Sequence, residues 1–403
     1  MSTVSPRLVR GRVVTPTAVL EDGAVVWEGE RLTWVGDARE APGELREVVD
    51  AATPVAGYVL PGLVDLHCHG GGGASFPDAE DVETARVAVA EHLRHGTTSL
   101  VASLVTAAPQ VLRQRTGVLV ELAEAGEIAG IHYEGPFISA DRCGAQNPAA
   151  IQQPDPALTR ELLELGRGHV VTMTLAPEAP GVTGEEGVTR SLASGGALPS
   201  FGHTVATAPQ ARAAVVEAGR MLADEPAARS ARPTVTHLCN GMNPMHHRAP
   251  GPIPEFLAAA ADGRLVIELI ADGTHLDPAL VRSFMEIAGR ENVALVTDAM
   301  AAAGMPDGDY QLGSLAVTVA DGVARLTEGG SIAGGTAHLI DVVRTSVAGG
   351  VDLVDAVYAA ATTPAAVLGD DGVGVLEAGR RADVVVTDTD LRPVRVVKGG
   401  VEL

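Results

Sequence analysis

Several short segments of this 403-residue chain contain histidines or single carboxylates that could bind a metal ion. In DLHCHGGGG, His67 and His69 are two residues apart, so both side chains project to the same side of an extended backbone. The segments HYEGPF, GHT, THL and VTDAM add one group each, namely Glu134, His203, His237 and Asp298. Imidazole and carboxylate together suit Zn²⁺ or a similar divalent ion. The sequence therefore predicts a metal site built from separate segments.

The segment THLCNGMNPMHHRAPG, residues 236–251, is unusually rich in polar groups. It has three histidines, two asparagines and an arginine in sixteen positions. Such a segment is poorly suited to a hydrophobic core and unusual for an ordinary surface loop. We therefore ask which ligand His237, Asn240 and Arg248 could hold.

The elements that must position these residues are repeated strand–helix units. Apolar, strand-like runs alternate with Ala-rich helical stretches such as VETARVAVAEHLRHG and DPALVRSFMEIAGR. The eight predicted strands are 58–66, 98–104, 128–133, 169–175, 197–202, 234–237, 264–270 and 292–297. Eight such units over about 250 residues predict an α/β fold of the (β/α)₈ TIM-like barrel type.

Both ends of the chain have a different texture, with short alternating, Val-rich runs such as RLVRGRVV and ADVVVTDTD. We expect residues 1–56 and 370–403 to form a small β-sandwich side domain. Residues 57–369 would then form the barrel.

The candidate groups fall where such a barrel carries its chemistry, at the C-terminal ends of the strands. His67, His69, Glu134, His203, His237 and Asp298 follow five of the predicted strands, and His275 follows another. A bound metal lowers the pKa of water towards about 7 and polarises a carbonyl oxygen. A carboxylate that does not bind the metal, for which Asp298 is the candidate, could then transfer the proton. These residues predict a metal-dependent hydrolase of an amide, ester or ring C–N bond.

The composition excludes several classes of partner. With 29 basic and 51 acidic side chains the formal charge is −22, which argues against nucleic acid or an anionic membrane. An anionic substrate would need a local basic contact. Three cysteines without CxxC spacing and a start that lacks a signal peptide predict a cytoplasmic protein without disulfides.

The chain resembles the amidohydrolase superfamily, and within it the N-acetylglucosamine-6-phosphate deacetylase family. The matching segments are PGLVDLHCHG, GTTSLVASLVT, GIHYEGPFIS, GHTVAT, THLCNGM, RAPG, ADGTHLDP and LVTDAMAAAG. The pair HxH is shared across the superfamily. The combination of EGPF with THLxNxM and a following arginine is far more specific.

The resemblance implies a role for each matching position. Glu134, His203 and His237 match the principal metal site, and His67 and His69 match a second site that only some members keep. Asp298 matches the catalytic acid and base. The positions that match sugar-phosphate contacts are Asn240, the backbone of Gly241, Arg248 and His275. One or two Zn²⁺ ions per chain are therefore expected.

The segment CGAQNP departs from the family, which usually has a histidine where this chain has Gln146. That histidine polarises the scissile carbonyl. Glutamine can donate a hydrogen bond but carries no charge, so oxyanion stabilisation could be weaker or the acyl preference different.

The expected reaction is deacetylation of N-acetylglucosamine 6-phosphate. Two alternatives stay open: another N-acylhexosamine phosphate such as N-acetylgalactosamine 6-phosphate, and a non-catalytic sugar-phosphate sensor, although a sensor would not need Asp298. The resemblance also implies a homodimer in which the arginine reaches across the interface.

Overall fold

A computed structural model describes residues 7–403, so the first six residues of the predicted side domain lie outside the described residues. Its centre is a nearly closed barrel of eight parallel strands, paired in chain order. The first and eighth strands approach each other at a bridge between Cys68 and Ala299. The barrel strands are Leu63–Cys68, Thr97–Leu104, Gly130–Tyr133, Val170–Leu175, Leu198–Phe201, Thr234–Val235, Val266–Leu269 and Val293–Leu295. The predicted (β/α)₈ barrel is confirmed.

Helices follow the barrel strands, and local sequence signals start several of them. Asp155 accepts hydrogen bonds from the amides of Ala157 and Leu158, with Pro156 in the first turn. The eight helices are Val82–Arg94, Pro109–Glu124, Pro156–Leu165, Val188–Ser194, Ala208–Ala223, Ile253–Ala261, Pro278–Ala288 and Leu339–Ala348. Leu353–Val357, the π-helical turn Tyr358–Thr362 and Thr363–Leu368 follow, and this turn packs against the first and eighth strands.

The predicted strand 58–66 is wrong as a single element. Tyr58–Pro61 belongs to the terminal sheet, and the barrel begins with Leu63–Cys68. Gly62 separates them in a crowded position, where an added Cβ would lie 2.1 Å from Thr98 Oγ1. Thr98 of the second barrel strand and Asp383, just before the strand Val384–Thr387, both approach Gly62 closely.

The chain ends form a separate seven-stranded sheet. In spatial order its strands are Val401–Glu402, Pro393–Lys398, Val384–Thr387, Tyr58–Pro61, Arg7–Val14, Val19–Glu28 and Arg31–Asp37. One face packs around the buried Trp27, and helix Gly43–Ala51 lies near the other through Val49. Trp27 Nε1 donates to the carbonyl of Gly400 at 3.3 Å, which joins the two ends of the chain.

A three-stranded antiparallel sheet is inserted between the eighth barrel strand and its helix. Its strands are Gly308–Leu312, Leu315–Ala320 and Val323–Leu326. The remaining short elements are the strand pair Gly70–Gly71 and Ala74–Ser75 and the 3₁₀ turns Ala38–Glu40, Ala140–Arg142, Pro148–Ala150 and Arg290–Asn292. Across residues 7–403, every helix is too short or too polar to span a lipid bilayer.

Candidate metal centre and substrate pocket

The predicted metal-binding side chains meet at the C-terminal end of the barrel. His67 lies in the first strand, and Glu134 follows the third strand directly. His203, His237 and Asp298 lie just beyond the fifth, sixth and eighth strands with positive φ angles of 46°, 27° and 47°. Such backbone conformations are uncommon outside glycine and concentrate at functional sites. The turns that leave the strands therefore aim these side chains at one point.

The carboxylate of Glu134 lies between two pairs of histidines. Its Oε1 is 2.7 Å from His203 Nε2 and 2.9 Å from His237 Nε2. Its Oε2 is 2.9 Å from His69 Nε2, which is 3.1 Å from His67 Nε2. All five side chains are buried. Each oxygen of the Glu134 carboxylate thus faces a different pair of histidines.

Asp298 completes the cluster on the side of His67 and His69. Its Oδ1 is 3.4 Å from His67 Nε2 and 3.2 Å from His69 Nε2. The backbone amide of Asp298 donates to the carbonyl of His67 at 2.9 Å, so the closure of the barrel sets this position. The side chain is largely buried but still lines the pocket above the cluster.

The histidine tautomers leave unprotonated nitrogens at the centre. His203 Nδ1 lies 2.8 Å from the carbonyl of Arg142, and His69 Nδ1 lies 3.1 Å from that of Ser103. A carbonyl only accepts, so Nδ1 must donate, and in a neutral ring Nε2 keeps its lone pair. Lone pairs directed at the Glu134 carboxylate repel it unless a cation lies between them. A metal ion between these atoms, or a proton on each ring, would remove this repulsion.

The pKa values of Glu134 and His69 indicate the same need for positive charge in the cluster. Burial alone would raise the pKa of Glu134, but His203 and His237 outweigh it and hold that pKa well below its usual range. Burial would lower the pKa of His69, but Asp298 and Glu134 raise it to about 8. Without metal, protons bound to these histidines would offset the negative charge of Glu134 and Asp298. A bound metal ion would have the same effect.

The donor set fits a divalent metal at two adjoining positions. One group of ligand atoms that lie within 4.8 Å of one another comes from Glu134, His203 and His237. A second such group comes from His67, His69, Glu134 and Asp298. Nitrogen and carboxylate oxygen are the ligands that Zn²⁺ and related ions take in catalytic sites.

Above the cluster is a cavity of about 280 Å³, large enough for a small ligand. Among the predicted substrate-binding residues, Gln146, Asn240, Gly241 and His275 line it. Sequence reasoning missed part of the wall, which the inserted sheet and the segment after it supply through Leu312, Ser331 and Ile332.

Gln146 is held tightly at the edge of the metal centre. Its Nε2 donates to Glu134 Oε2 at 2.6 Å, and its Oε1 accepts from the backbone amide of Thr106 at 2.7 Å. Its exposed fraction is 3%. The Thr106 contact fixes the amide orientation, so one N–H of Gln146 is directed at Glu134.

Asn240 and Gly241 form the wall next to His203. Asn240 Nδ2 is buried and has no hydrogen-bond partner among the described residues. Gly241 has φ +60°, and a Cβ there would lie 2.7 Å from His203 Nδ1, so glycine is required for the histidine to fit. A buried unpaired donor that lines a pocket indicates a ligand acceptor.

His275 is oriented by a carboxylate that sequence reasoning overlooked. Its Nδ1 lies 2.8 Å from Asp272 Oδ2, and its backbone amide donates to Asp272 Oδ1. Burial lowers the pKa of His275, but the bond to Asp272 outweighs it and raises that pKa. The available signal was the spacing in ADGTH, which places both groups in one short turn.

Within one chain, Arg248 does not reach this pocket. The residue is exposed in the loop after Asn240, and among residues 7–403 it is not part of the cavity wall. Its backbone amide donates to His246 Nδ1 at 3.3 Å, which shapes the loop. The phosphate-binding role of Arg248 stays a prediction.

The chain is similar to known proteins over most of its length. The amidohydrolase family model matches residues 58–402. An N-acetylglucosamine-6-phosphate deacetylase of Lysinibacillus sphaericus is 32% identical, over 85% of this chain and 84% of the relative. An N-acetylgalactosamine-6-phosphate deacetylase of Escherichia coli O157:H7 is 34% identical, over 83% and 85%.

A solved structure is similar over the full length. It is a variant of N-acetyl-D-glucosamine-6-phosphate deacetylase from Mycobacterium smegmatis in complex with N-acetyl-D-glucosamine-6-phosphate, with 38% identity, a TM-score of 0.87 and coverage of 99% of both chains. Because the family model, the relatives and this structure agree over most of the sequence, the chain belongs to the amidohydrolase family.

Proposed function

We propose that this amidohydrolase removes the acetyl group from N-acetyl-D-glucosamine 6-phosphate to give D-glucosamine 6-phosphate and acetate. The observation that carries the proposal is the set of two histidine pairs and Asp298 around Glu134, at the floor of a pocket with an unpaired Asn240 donor. The names of the relatives in Lysinibacillus sphaericus and Mycobacterium smegmatis support the substrate.

The residues that would hold metal divide into two groups. Glu134, His203 and His237 would hold the principal ion, and His67 and His69 would hold a second ion together with the other oxygen of Glu134. A divalent ion bound here, Zn²⁺ in this proposal, would polarise the amide carbonyl and make a water molecule nucleophilic.

Asp298 would move the proton. Its Oδ1 lies close enough to the histidine cluster to accept a proton from the attacking water. Burial raises the pKa of Asp298, but His67 and His69 outweigh it and lower that pKa, which keeps the base ionised at neutral pH. As the new C–O bond forms and the C–N bond breaks, the same oxygen would donate the proton to the leaving amine.

The pocket wall would orient the sugar. Asn240 Nδ2 offers a donor without a partner among residues 7–403, and Gly241 keeps the nearby backbone accessible. With its Nδ1 directed at Asp272, His275 has only Nε2 left for a sugar or phosphate oxygen. Gln146 would orient Glu134 through its hydrogen bond.

For the phosphate we propose a homodimer in which Arg248 serves the pocket of the second copy. An exposed guanidinium in a loop that begins at the pocket wall is consistent with this role. Its planar, charged group suits a phosphate, and the net charge of −22 makes such a local contact necessary. We also propose a cytoplasmic location, which the three free cysteines support.

N-Acetylgalactosamine 6-phosphate is a second candidate substrate. The relative in Escherichia coli O157:H7 that carries this name is 34% identical to the chain, and the deacetylase of Lysinibacillus sphaericus is 32% identical. The two sugars differ only in the configuration of one hydroxyl, at C4.

A deacetylation screen tests the proposal. Metal-analysed protein is incubated with N-acetylglucosamine and N-acetylgalactosamine, each with and without the 6-phosphate, and acetate release is measured. We expect kcat/KM to be highest for N-acetylglucosamine 6-phosphate. A preference for the galactose epimer would replace the substrate assignment, and no acetate from any of the four would contradict the proposed reaction.

A further inference from the structure

Beneath the metal centre lies a buried carboxylate for which sequence reasoning assigned no role. Glu268 is in the seventh barrel strand, Val266–Leu269, and its exposed fraction is 1%. Its Oε2 is 3.1 Å from His67 Nδ1 and 3.3 Å from the backbone nitrogen of His237. It is absent from the residues that line the pocket, so it cannot meet the substrate directly.

The surroundings of Glu268 make an ionised carboxylate energetically unfavourable. Within residues 7–403, its ion-pair partner is a histidine, and no Lys or Arg side chain lies within 4.0 Å of the carboxylate. An ionised carboxylate in such a site destabilises the fold unless hydrogen bonds and a nearby positive charge offset its lost hydration. An apolar residue at position 268 would destabilise the fold less. We therefore expect the carboxylate to have a function.

That function follows from the atoms that Oε2 of Glu268 contacts. By accepting from Nδ1 of His67, Glu268 keeps the proton on that nitrogen and leaves Nε2 of His67 unprotonated. Nε2 is the atom that faces His69 and Asp298. A carboxylate hydrogen-bonded to a metal-binding histidine fixes the ring orientation and strengthens the histidine as a ligand.

We propose that Glu268 is a positioning residue that makes the second metal position, at His67 and His69, bind tightly. This inference rests on the proposed function in one respect, because it takes the histidine cluster to bind metal. The contact with the His237 amide is the weaker of the two. The effect of Glu268 should therefore fall mainly on the second ion.

Glutamine at this position separates the proposal from a structural role. Its side-chain carbonyl can still accept from His67 and from the His237 amide, so Glu268→Gln keeps the volume and both contacts but loses the charge. A merely structural Glu268 would leave metal binding unchanged in this variant. A positioning role predicts a weaker second ion.

The experiment is a Zn²⁺ titration of chelator-treated protein, with stoichiometry and both dissociation constants measured by competition with a chromophoric chelator. We expect wild type to bind two ions and Glu268→Gln to weaken the second about 10- to 100-fold with the first unchanged. Asp272→Asn is the matched control, because it removes the charge of another carboxylate, partly buried, that is paired with a histidine. It should bind both ions as wild type does.

Equal affinity of wild type and Glu268→Gln for the second ion would overturn the proposal, as would equal weakening of both ions. If Glu268→Gln does not fold, Glu268→Asp keeps the charge but withdraws it from His67, and the same selective loss is expected. An unchanged second ion in Glu268→Asp would then refute the role. The titration needs no substrate, so it is independent of the proposed reaction. If wild type binds two ions and Glu268→Gln weakens only the second, this inference stands even if no acetate is released. The absence of acetate would then reject only the proposed function.

Discussion

Replacing Gln146 with methionine tests the internal support of the metal centre. Gln146→Met keeps a side chain of similar length but removes the donor to Glu134 Oε2 and the acceptor for the Thr106 amide. A hydrogen bond to a charged group contributes about 1.5–3 kcal/mol, and a buried amide left without a partner costs about 1–3 kcal/mol. Gln146 orients Glu134 before metal binds, so we expect about 1.5–3 kcal/mol of the metal-binding free energy to depend on it.

That energy corresponds to a rise of roughly 10- to 150-fold in the Zn²⁺ dissociation constant. We would measure it by competition with a chromophoric chelator at fixed pH and ionic strength. Gln146→His is the matched control, since imidazole has one nitrogen to donate and one to accept, and it should lose less affinity than Gln146→Met. Wild-type affinity in Gln146→Met would show that the contact with Glu134 does not support the metal centre.

Three further predictions concern other parts of the site. Asp298→Asn should retain the principal ion by elemental analysis but lose about 10²–10⁴-fold in kcat, because an amide cannot shuttle the proton. His203→Ala should lose the principal ion, whereas His69→Ala should lose only the second, as elemental analysis of each variant would show. Arg248→Ala should lower kcat/KM about 10- to 150-fold for the 6-phosphorylated sugar, from the loss of one charge-assisted contact of about 1.5–3 kcal/mol, and leave the unphosphorylated sugar unchanged.

Each has an outcome that would contradict it. Near-wild-type turnover in Asp298→Asn would remove that residue from the mechanism. A single ion per chain that persists in His69→Ala would reject the second metal position. Equal losses on both sugars in Arg248→Ala would mean that the arginine stabilises its loop instead of binding phosphate.

The barrel and the metal cluster could be predicted because their signals are local. Apolar runs of strand length alternate with amphipathic stretches, and a parallel barrel brings the ends of all its strands together. Once His67, His203 and His237 are placed at strand ends, their convergence follows from topology. The left-handed turns at His203 and His237 and the ring orientations did not follow, because these depend on contacts such as that of His203 with the Arg142 carbonyl.

The remaining features depend on pairs that are distant in sequence. Glu268 is 201 residues from His67, and nothing in VIEL distinguishes a buried partner from an ordinary polar strand residue. Gln146 could be recognised as a departure from the family, but its hydrogen bond to Glu134 could not. The orientation of Arg248 could not be predicted from the sequence, since a side chain in a polar turn can face either the pocket or the solvent.

The central claim, that metal and Asp298 together hydrolyse the acetamido group of a sugar phosphate, is tested most directly by metal removal and return. Chelator-treated protein is assayed for release of acetate and D-glucosamine 6-phosphate from N-acetyl-D-glucosamine 6-phosphate, before and after Zn²⁺ is added back. We predict no turnover in the metal-free protein, recovery with Zn²⁺ and equimolar release of the two products. Equal turnover with and without metal, or no acetate from the reconstituted protein, would contradict the account.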